Sequence, residues 1–291
     1  MPGEEAVSRA ESEPGDDWDL WAPFIALRPS DRRAERLRAH VEEDVKRKAR
    51  HLPRRAAALS RDDIVRTAIA VADAEGAEAI SMRRIARELN AGTMSLYWHI
   101  TSKEQLLDLM IDSIQGKMRA PDPSGDWRND LRTLAWTTRS VLHSHRWMMD
   151  FLGGRPPMGP KSLRNVERTL ACLDGLGLAP GTAMDIVITL ATYVHGAVLR
   201  EVQEANADVY QLQQSAGLSE AEISELIGTF TARLRETGRF PHMLAVIDSG
   251  VDPDAAETRD ARFEFGLDCL LNGIAARMPP AGPASGAAAG Q

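Results

Sequence analysis

The sequence predicts an all-α protein, and three observations carry that expectation. Ala, Leu, Arg and Glu are plentiful while aromatic residues make up only 5%, a composition that favours helix over sheet. Apolar residues recur at i, i+3, i+4 and i+7 in one segment after another, the repeat of a helix buried along one side. No segment of useful length alternates apolar and polar residues, and no internal repeat is present.

With 291 residues, length alone suggests about two domains. Hydrophobic residues at 43% and charged residues at 26% give ample material for a buried core. Residues 1–58 read as an extension, partly disordered and with a charged helix. Its first 29 residues are rich in Pro, Gly, Ser and acid and cannot build a core alone. Trp18, Trp21 and Phe24 form an aromatic island there, read either as an arm packing on its own protein or as a docking peptide. Ser30 to Arg50 mixes acids and bases at spacings of three and four, which suits a solvated helix, and Pro53 breaks it.

The first compact unit begins at Ser60, an N-cap with Asp63 three residues on. Val65, Ala68, Ile69 and Ala72 form its apolar stripe, and Gly76 ends it. Ser81 caps a second helix with Met82, Ile85, Ala86 and Leu89 inward and Arg83, Arg84 and Arg87 outward. The turn Asn90-Ala91-Gly92 uses residues that tolerate left-handed backbone angles. A third helix is expected from about Thr93 to His99. Thr101 and Ser102 cap a fourth, over about 102–119, with Glu104 and Gln105 completing alternative capping boxes. Further helices are expected near 126–145, 161–176, 181–205, 219–237 and 258–277, punctuated by Pro156-Pro157, Gly159-Pro160 and Pro180-Gly181. Residues 279–291 form a low-complexity tail, expected to be disordered.

The second and third helices, joined by three residues, have the dimensions of a helix-turn-helix. Such a unit seats its second helix in the major groove of DNA, about 12 Å wide, while the first crosses the backbone. Leu96 and Ile100, four apart, point inward and leave Thr93, Met94, Ser95, Tyr97 and His99 outward. Hydroxyls can bond base edges, Met94 can meet a thymine methyl, and Tyr97, His99 and Lys103 suit phosphate oxygens. The spacing by itself fits a surface helix of a metabolic bundle as well.

The run Leu96-Tyr97-Trp98-His99-Ile100-Thr101-Ser102-Lys103-Glu104-Gln105-Leu106-Leu107-Asp108, preceded by Ser81-Met82-Arg83-Arg84-Ile85-Ala86-Arg87-Glu88-Leu89, resembles the DNA-binding signature of the TetR family of transcriptional repressors, its tetracycline-repressor branch in particular. Ser144-His145-Arg146, Leu152-Gly153-Gly154-Arg155-Pro156, Val198-Leu199 and Phe263-Glu264-Phe265-Gly266-Leu267 are similar to that branch more loosely, so the likeness spans about 60–277. It implies a helix-turn-helix DNA-binding domain over 59–105 and a helical ligand-binding and dimerisation domain over 106–278. It also implies that Arg83, Thr93, Met94 and Ser95 lie near bases and Tyr97, His99 and Lys103 near phosphates. Asn90 stands where the family usually has glycine, and Thr93-Met94 departs from the tetracycline repressor.

The expected function is a ligand-responsive repressor that binds a palindromic operator in double-stranded DNA as a homodimer. One recognition helix reads too few base pairs for a genome, and a two-fold dimer doubles the site. The segment Met184 to Leu199 is apolar almost all round, so cover is expected on every side. With Phe263, Phe265, Leu267, Leu270, Leu271 and Ile274 it reads as half of an intersubunit four-helix bundle, or else as a buried helix of a monomer. The resemblance implies that an effector shifts the helix at 102–119 and moves the two heads off one groove repeat, about 34–36 Å. Leu134, Thr138, Trp147, Met149, Phe151, Thr169 and His195 are candidate lining residues for a small, largely apolar effector, although each reads more readily as plain core. Where the tetracycline repressor holds its magnesium-chelated drug, this sequence has Arg119, Phe151 and Arg200; phenylalanine cannot ligate a metal and arginines repel one. No metal or cofactor is therefore expected.

Other classes fit less well. A net charge of −7 excludes a uniformly basic nucleic-acid binder and disfavours a non-specific one, so DNA contact must come from a local patch. Arg47, Lys48, Arg50, Arg54, Arg55 and Arg61 form a basic run, read as a solvated helix and linker or as an arm along the phosphate backbone. Cys172 and Cys269 are too few for a disulfide framework or zinc cluster. A small-molecule enzyme, the main rival, lacks any phosphate loop, G-x-S-x-G or metal-spaced His and Cys motif. No stretch reaches about 18 consecutive apolar residues and the acidic start is unlike a signal peptide, so no membrane association and a cytosolic location are expected.

Overall fold

A computed structural model describes residues 59–151, 159–206, 219–251 and 255–278. The aromatic island, the charged helix, most of the basic run, the Leu152 to Pro156 motif and the C-terminal tail lie outside the described residues. The described residues form α-helices and short 3-10 turns, with no strand among them. In chain order the helices are α1 (Arg61–Glu75), α2 (Met82–Glu88), α3 (Thr93–Tyr97), α4 (Lys103–Gln115), α5 (Trp127–Ser144), α6 (Pro160–Ala171), α7 (Pro180–Asn206), α8 (Glu220–Thr237), α9 (Pro241–Asp248) and α10 (Arg259–Ala275). Two compact units divide them. Of the described residues, the first takes those through Pro123 and those within Ser140–Ala171, and the second takes Ser124–Arg139 and those from Cys172 to Met278.

In the first unit, the helix starts are set by side chains that satisfy otherwise orphaned amides. Ser60 and Asp63 form a reciprocal capping box on α1, the Asp63 amide donating to Ser60 Oγ at 3.1 Å and the Ser60 amide to Asp63 Oδ2 at 3.2 Å. The Ser60 hydroxyl, donating to Asp63 Oδ2 at 2.6 Å, and the Ser60 amide hold the Asp63 carboxyl below the usual carboxylate range. Ser102 rather than Thr101 caps α4, accepting from the Gln105 amide, while Gln105 reaches back to Thr101. The core of this unit is Ile64, Ala68, Ile85, Leu96, Ile100, Leu106, Met110 and Ile114, all fully buried. Leu89, expected inward with them, is half-buried.

Asp112 on α4 is 3% exposed and caps α6 from outside that helix. It accepts from the Ser162 amide and hydroxyl, both at 2.9 Å, and from the Lys161 amide at 3.4 Å. A carboxylate at a helix N-terminus meets both free N–H groups and the positive end of the dipole. Gly159 makes room for it, since a Cβ there would lie 2.1 Å from Asp112 Oδ1.

In the second unit, α7 packs on α10. Ile186, Leu190, Val194 and Val198 on one side of α7 are buried, as are Phe263, Leu267, Leu271 and Ile274 on α10. The Tyr193 hydroxyl donates to the Phe263 carbonyl at 2.5 Å, and a Cβ on Gly266 would lie 2.5 Å from that hydroxyl. Arg139 is buried between the Trp136 and Phe263 rings, its guanidinium 4.9 and 4.8 Å from their centroids. Burial opposes its charge, but hydrogen bonds to Glu201 and Asp260 outweigh that and hold the group above its ordinary range. Glu204 answers Arg262 at 2.8 Å in the same layer.

Helix α7 is long and apolar enough by length and composition to cross a membrane, but its buried stripe and its carboxylates at Glu201 and Glu204 serve packing within this unit. Cover on every side, expected from its sequence, is not what the chain supplies. Met184, Ile188 and Leu199 form an exposed stripe, with Ile188 at 55%. A helix at Pro241–Asp248, unforeseen in the sequence, follows α8, and α6 stops at Ala171, short of 176.

Replacing Gly266 with Ala drives a methyl into Tyr193, so stability should fall by about 1–3 kcal/mol; an unchanged melting temperature would show that the ring yields freely. His195 on α7 is half-buried, and burial pushes its imidazole below the usual histidine value. The unfolded chain therefore takes up this proton at higher pH than the folded one, and stability is lost as pH falls through the unfolded value of about 6.5 towards the lower folded value. Between pH 7.5 and 5.5, His195→Gln should lose less melting temperature than the parent protein.

Candidate nucleic-acid interface

Helix α3 has five residues, too few to persist alone in water. Tertiary burial sets its orientation. Leu96 and Ile100 are both fully buried, and the amides of His99 and Ile100 close on the Leu96 carbonyl at 3.0 and 2.9 Å. The turn before it is a Schellman closure of α2. Asn90 adopts φ +49°, its amide meets the Arg87 carbonyl at 3.2 Å and the Ala91 amide meets the Ala86 carbonyl at 2.9 Å. Asn here does the work usually given to glycine, being among the side chains that tolerate this region best.

The face so held is polar and partly open. Met94 is 39% exposed; Thr93, Ser95, Tyr97 and His99 are half-buried, and Lys103 stands exposed at the first position of α4. Arg83 and Arg87 are exposed on α2 and form no salt bridge among the described residues. Arg84 is different. It ties α2 to the end of α1 by donating to Glu75 at 2.6 Å and to Glu88. Those bonds raise its own value and lower that of Glu75. One residue of this face was not singled out in the sequence. Trp98 is 55% exposed at the end of α3, a large apolar area that water covers poorly; its place inside the Leu-Tyr-Trp-His run was the available signal.

The seven candidate effector residues do not fall together in one unit. Trp147, Met149, Phe151 and Thr169 belong to the first, and Leu134, Thr138 and His195 to the second. Trp147 and Phe151 meet edge to face with centroids 6.2 Å apart. Trp147 is buried and its indole donates to Asp73 at 2.7 Å, while the Thr169 hydroxyl donates to the Asn165 carbonyl at 2.8 Å. Leu134 and Thr138 are buried one turn apart on α5. Among the described residues no group of three or more His, Cys, Asp or Glu could hold a metal ion. Arg119, one of the positions set against the drug site, pairs with Asp122 at 3.7 Å, and Arg200, another, with Glu204 at 2.5 Å.

Residues 64–110 match the family model of bacterial regulatory proteins of the tetR family, and residues 120–278 match that of the tetracyclin repressor-like C-terminal domain. The HTH-type transcriptional repressor DrrR1 of Streptomyces coeruleorubidus is 33% identical over 218 residues, 74% of this chain and 77% of that protein. The class E tetracycline repressor protein of Escherichia coli is 31% identical over 148 residues, 50% of this chain and 70% of that one. Among solved structures, the TetR family protein ActR of Streptomyces coelicolor in complex with actinorhodin superposes with a TM-score of 0.59 at 29% identity, covering 78% of this chain and all of that one. These relatives are transcriptional regulators and not enzymes, and the second family model alone extends over more than half of the sequence. The chain belongs to the TetR family of transcriptional regulators, with a helix-turn-helix head and a repressor-type C-terminal domain.

Proposed function

We propose that this regulator works in the cytosol as a homodimer on a palindromic operator and leaves it when a small, largely apolar molecule binds. The head corresponds to 59–105 and the effector and dimerisation domain to 106–278. Arg83, Thr93, Met94 and Ser95 read bases, and Tyr97, His99 and Lys103 hold phosphates, with Trp98 covering sugar and backbone beside them. The observation that carries the reading is the open polar face of α3, fixed in place by two fully buried side chains, Leu96 and Ile100.

The second copy is supported by what the chain leaves uncovered. Met184, Ile188 and Leu199 on α7 and Phe265 on α10, at 72%, are exposed large apolar residues on two helices that pack together. Burying such a side chain contributes about 1.5–3 kcal/mol, and an isologous contact buries each of them twice. The complex of ActR with actinorhodin supports an organic effector for a relative of this fold. Leu134, Thr138, Trp147, Met149, Phe151, Thr169 and His195 remain the residues proposed to meet one here, the Trp147 and Phe151 rings offering it an aromatic surface.

Selection of random duplexes with the purified protein should return a two-fold symmetric consensus, and sedimentation should give twice the chain mass. A featureless pool whose binding weakens steeply as salt rises would instead favour a non-specific binder. On the selected duplex, Tyr97→Ala should lose roughly tenfold in affinity, about 1.5 kcal/mol for a hydrogen bond to a charged group, with its melting temperature unchanged. A large drop in melting temperature would mean that Tyr97 serves the core. Titration with tetracycline and magnesium should show no tight, metal-dependent binding, because Arg119, Phe151 and Arg200 occupy the drug positions; saturation at micromolar drug would refute that assignment.

A further inference from the structure

Asp73 lies on α1, and its Oδ1 accepts two hydrogen bonds from outside that helix. One comes from Nδ1 of His145 at 2.7 Å and the other from Nε1 of Trp147, also at 2.7 Å. The second ring nitrogen of His145 stands 3.1 Å from Nζ of Lys117, just beyond the end of α4. An ammonium can only donate, so Nε2 accepts and the ring proton sits on Nδ1, aimed at Asp73. Donation therefore runs one way, from Lys117 through His145 to Asp73, and Trp147 donates to the same oxygen. His145 and Trp147 are both buried, which strengthens hydrogen bonds to a carboxylate.

Trp147 belongs to the short turn Arg146–Asp150, and its ring meets Phe151. Two residues beyond Asp73, Glu75 binds Arg84 and so joins α1 to α2. We propose that Asp73 is a positioning residue that couples the Arg146–Asp150 turn to the DNA-binding head, an inference that rests on the effector-responsive reading above. A turn that moves to admit an effector withdraws Trp147, His145 or both from Asp73. The carboxylate then has to find water or other donors, and α1 shifts with it. The displacement passes through Glu75 and Arg84 to α2, and from there to α3. This route reaches the head through α1.

Coupling of this kind is reciprocal, so the duplex itself can serve as the probe. The full-length protein, labelled with 15N, is titrated with the duplex recovered by selection, and the Trp147 indole resonance is assigned by its absence in Trp147→Phe. The expected result is a shift of that resonance on duplex binding, reduced by at least about half in Asp73→Asn while binding stays within about threefold of the parent. If Asp73→Asn does not fold, hydrogen exchange in Trp147→Phe decides. Its 146–150 amides should then respond to the duplex by less than half as much as in the parent, and an equal response overturns the proposal. A parent protein that binds the duplex with a stationary Trp147 resonance overturns the coupling alone, as does an undiminished shift in Asp73→Asn. A parent protein that binds no duplex overturns the regulator reading and the coupling with it.

Discussion

Everything at the DNA-facing end depends on the burial of Leu96 and Ile100. A helix of five residues has almost no stability of its own, so its outward face exists only because two side chains, four residues apart, are held without solvent contact. The head is best understood from that constraint outward. The Schellman closure at Asn90 sets where α3 starts, Ser102 sets where α4 starts, and Arg84 fixes α2 against the end of α1. Each device satisfies backbone or charged groups that would otherwise compete for water, and together they leave one polar surface unclaimed.

Charge is distributed to the same end. The chain is acidic overall, yet several of its described arginines are neutralised within the fold while some on the head are not. Arg84, Arg132, Arg139, Arg168 and Arg262 are committed to carboxylates inside the units. Arg83, Arg87 and Lys103 stand on the head without a salt bridge among the described residues. Arg83, Arg87 and Lys103 let a protein of net negative charge present a local positive patch on the head, which suits selective attraction over general adhesion to nucleic acid.

The fold was largely legible in the sequence because its signals are local. The Ser60 and Ser102 caps, the Gly76 stop, the left-handed Asn90 and the i, i+3, i+4 stripes all act within one or two turns and appear as spacings. The Pro241–Asp248 helix was not, since eight residues give too few turns for a period to emerge. The candidate effector residues were harder still. Trp147 could be placed in an apolar cluster by eye, but its hydrogen bond to Asp73, 74 positions away, has no trace in spacing. The apolar segment Met184 to Leu199 read either as an intersubunit surface or as the interior of a monomer, because a surface that meets a partner and a surface inside a core have similar compositions; only the structure shows Met184, Ile188 and Leu199 exposed.

The meeting of Gly159 with Asp112 reaches into how such a sequence is able to change. The residue just before a helix ordinarily tolerates many side chains, and position 159 directly precedes α6. Yet a single added methyl would collide with a carboxylate that secures two helices at once. The side chain allowed at position 159 is therefore set by an aspartate far away in the sequence, on another helix. A larger residue at 159 is thus accommodated only by a change at 112 as well, so the two positions constrain each other across the fold.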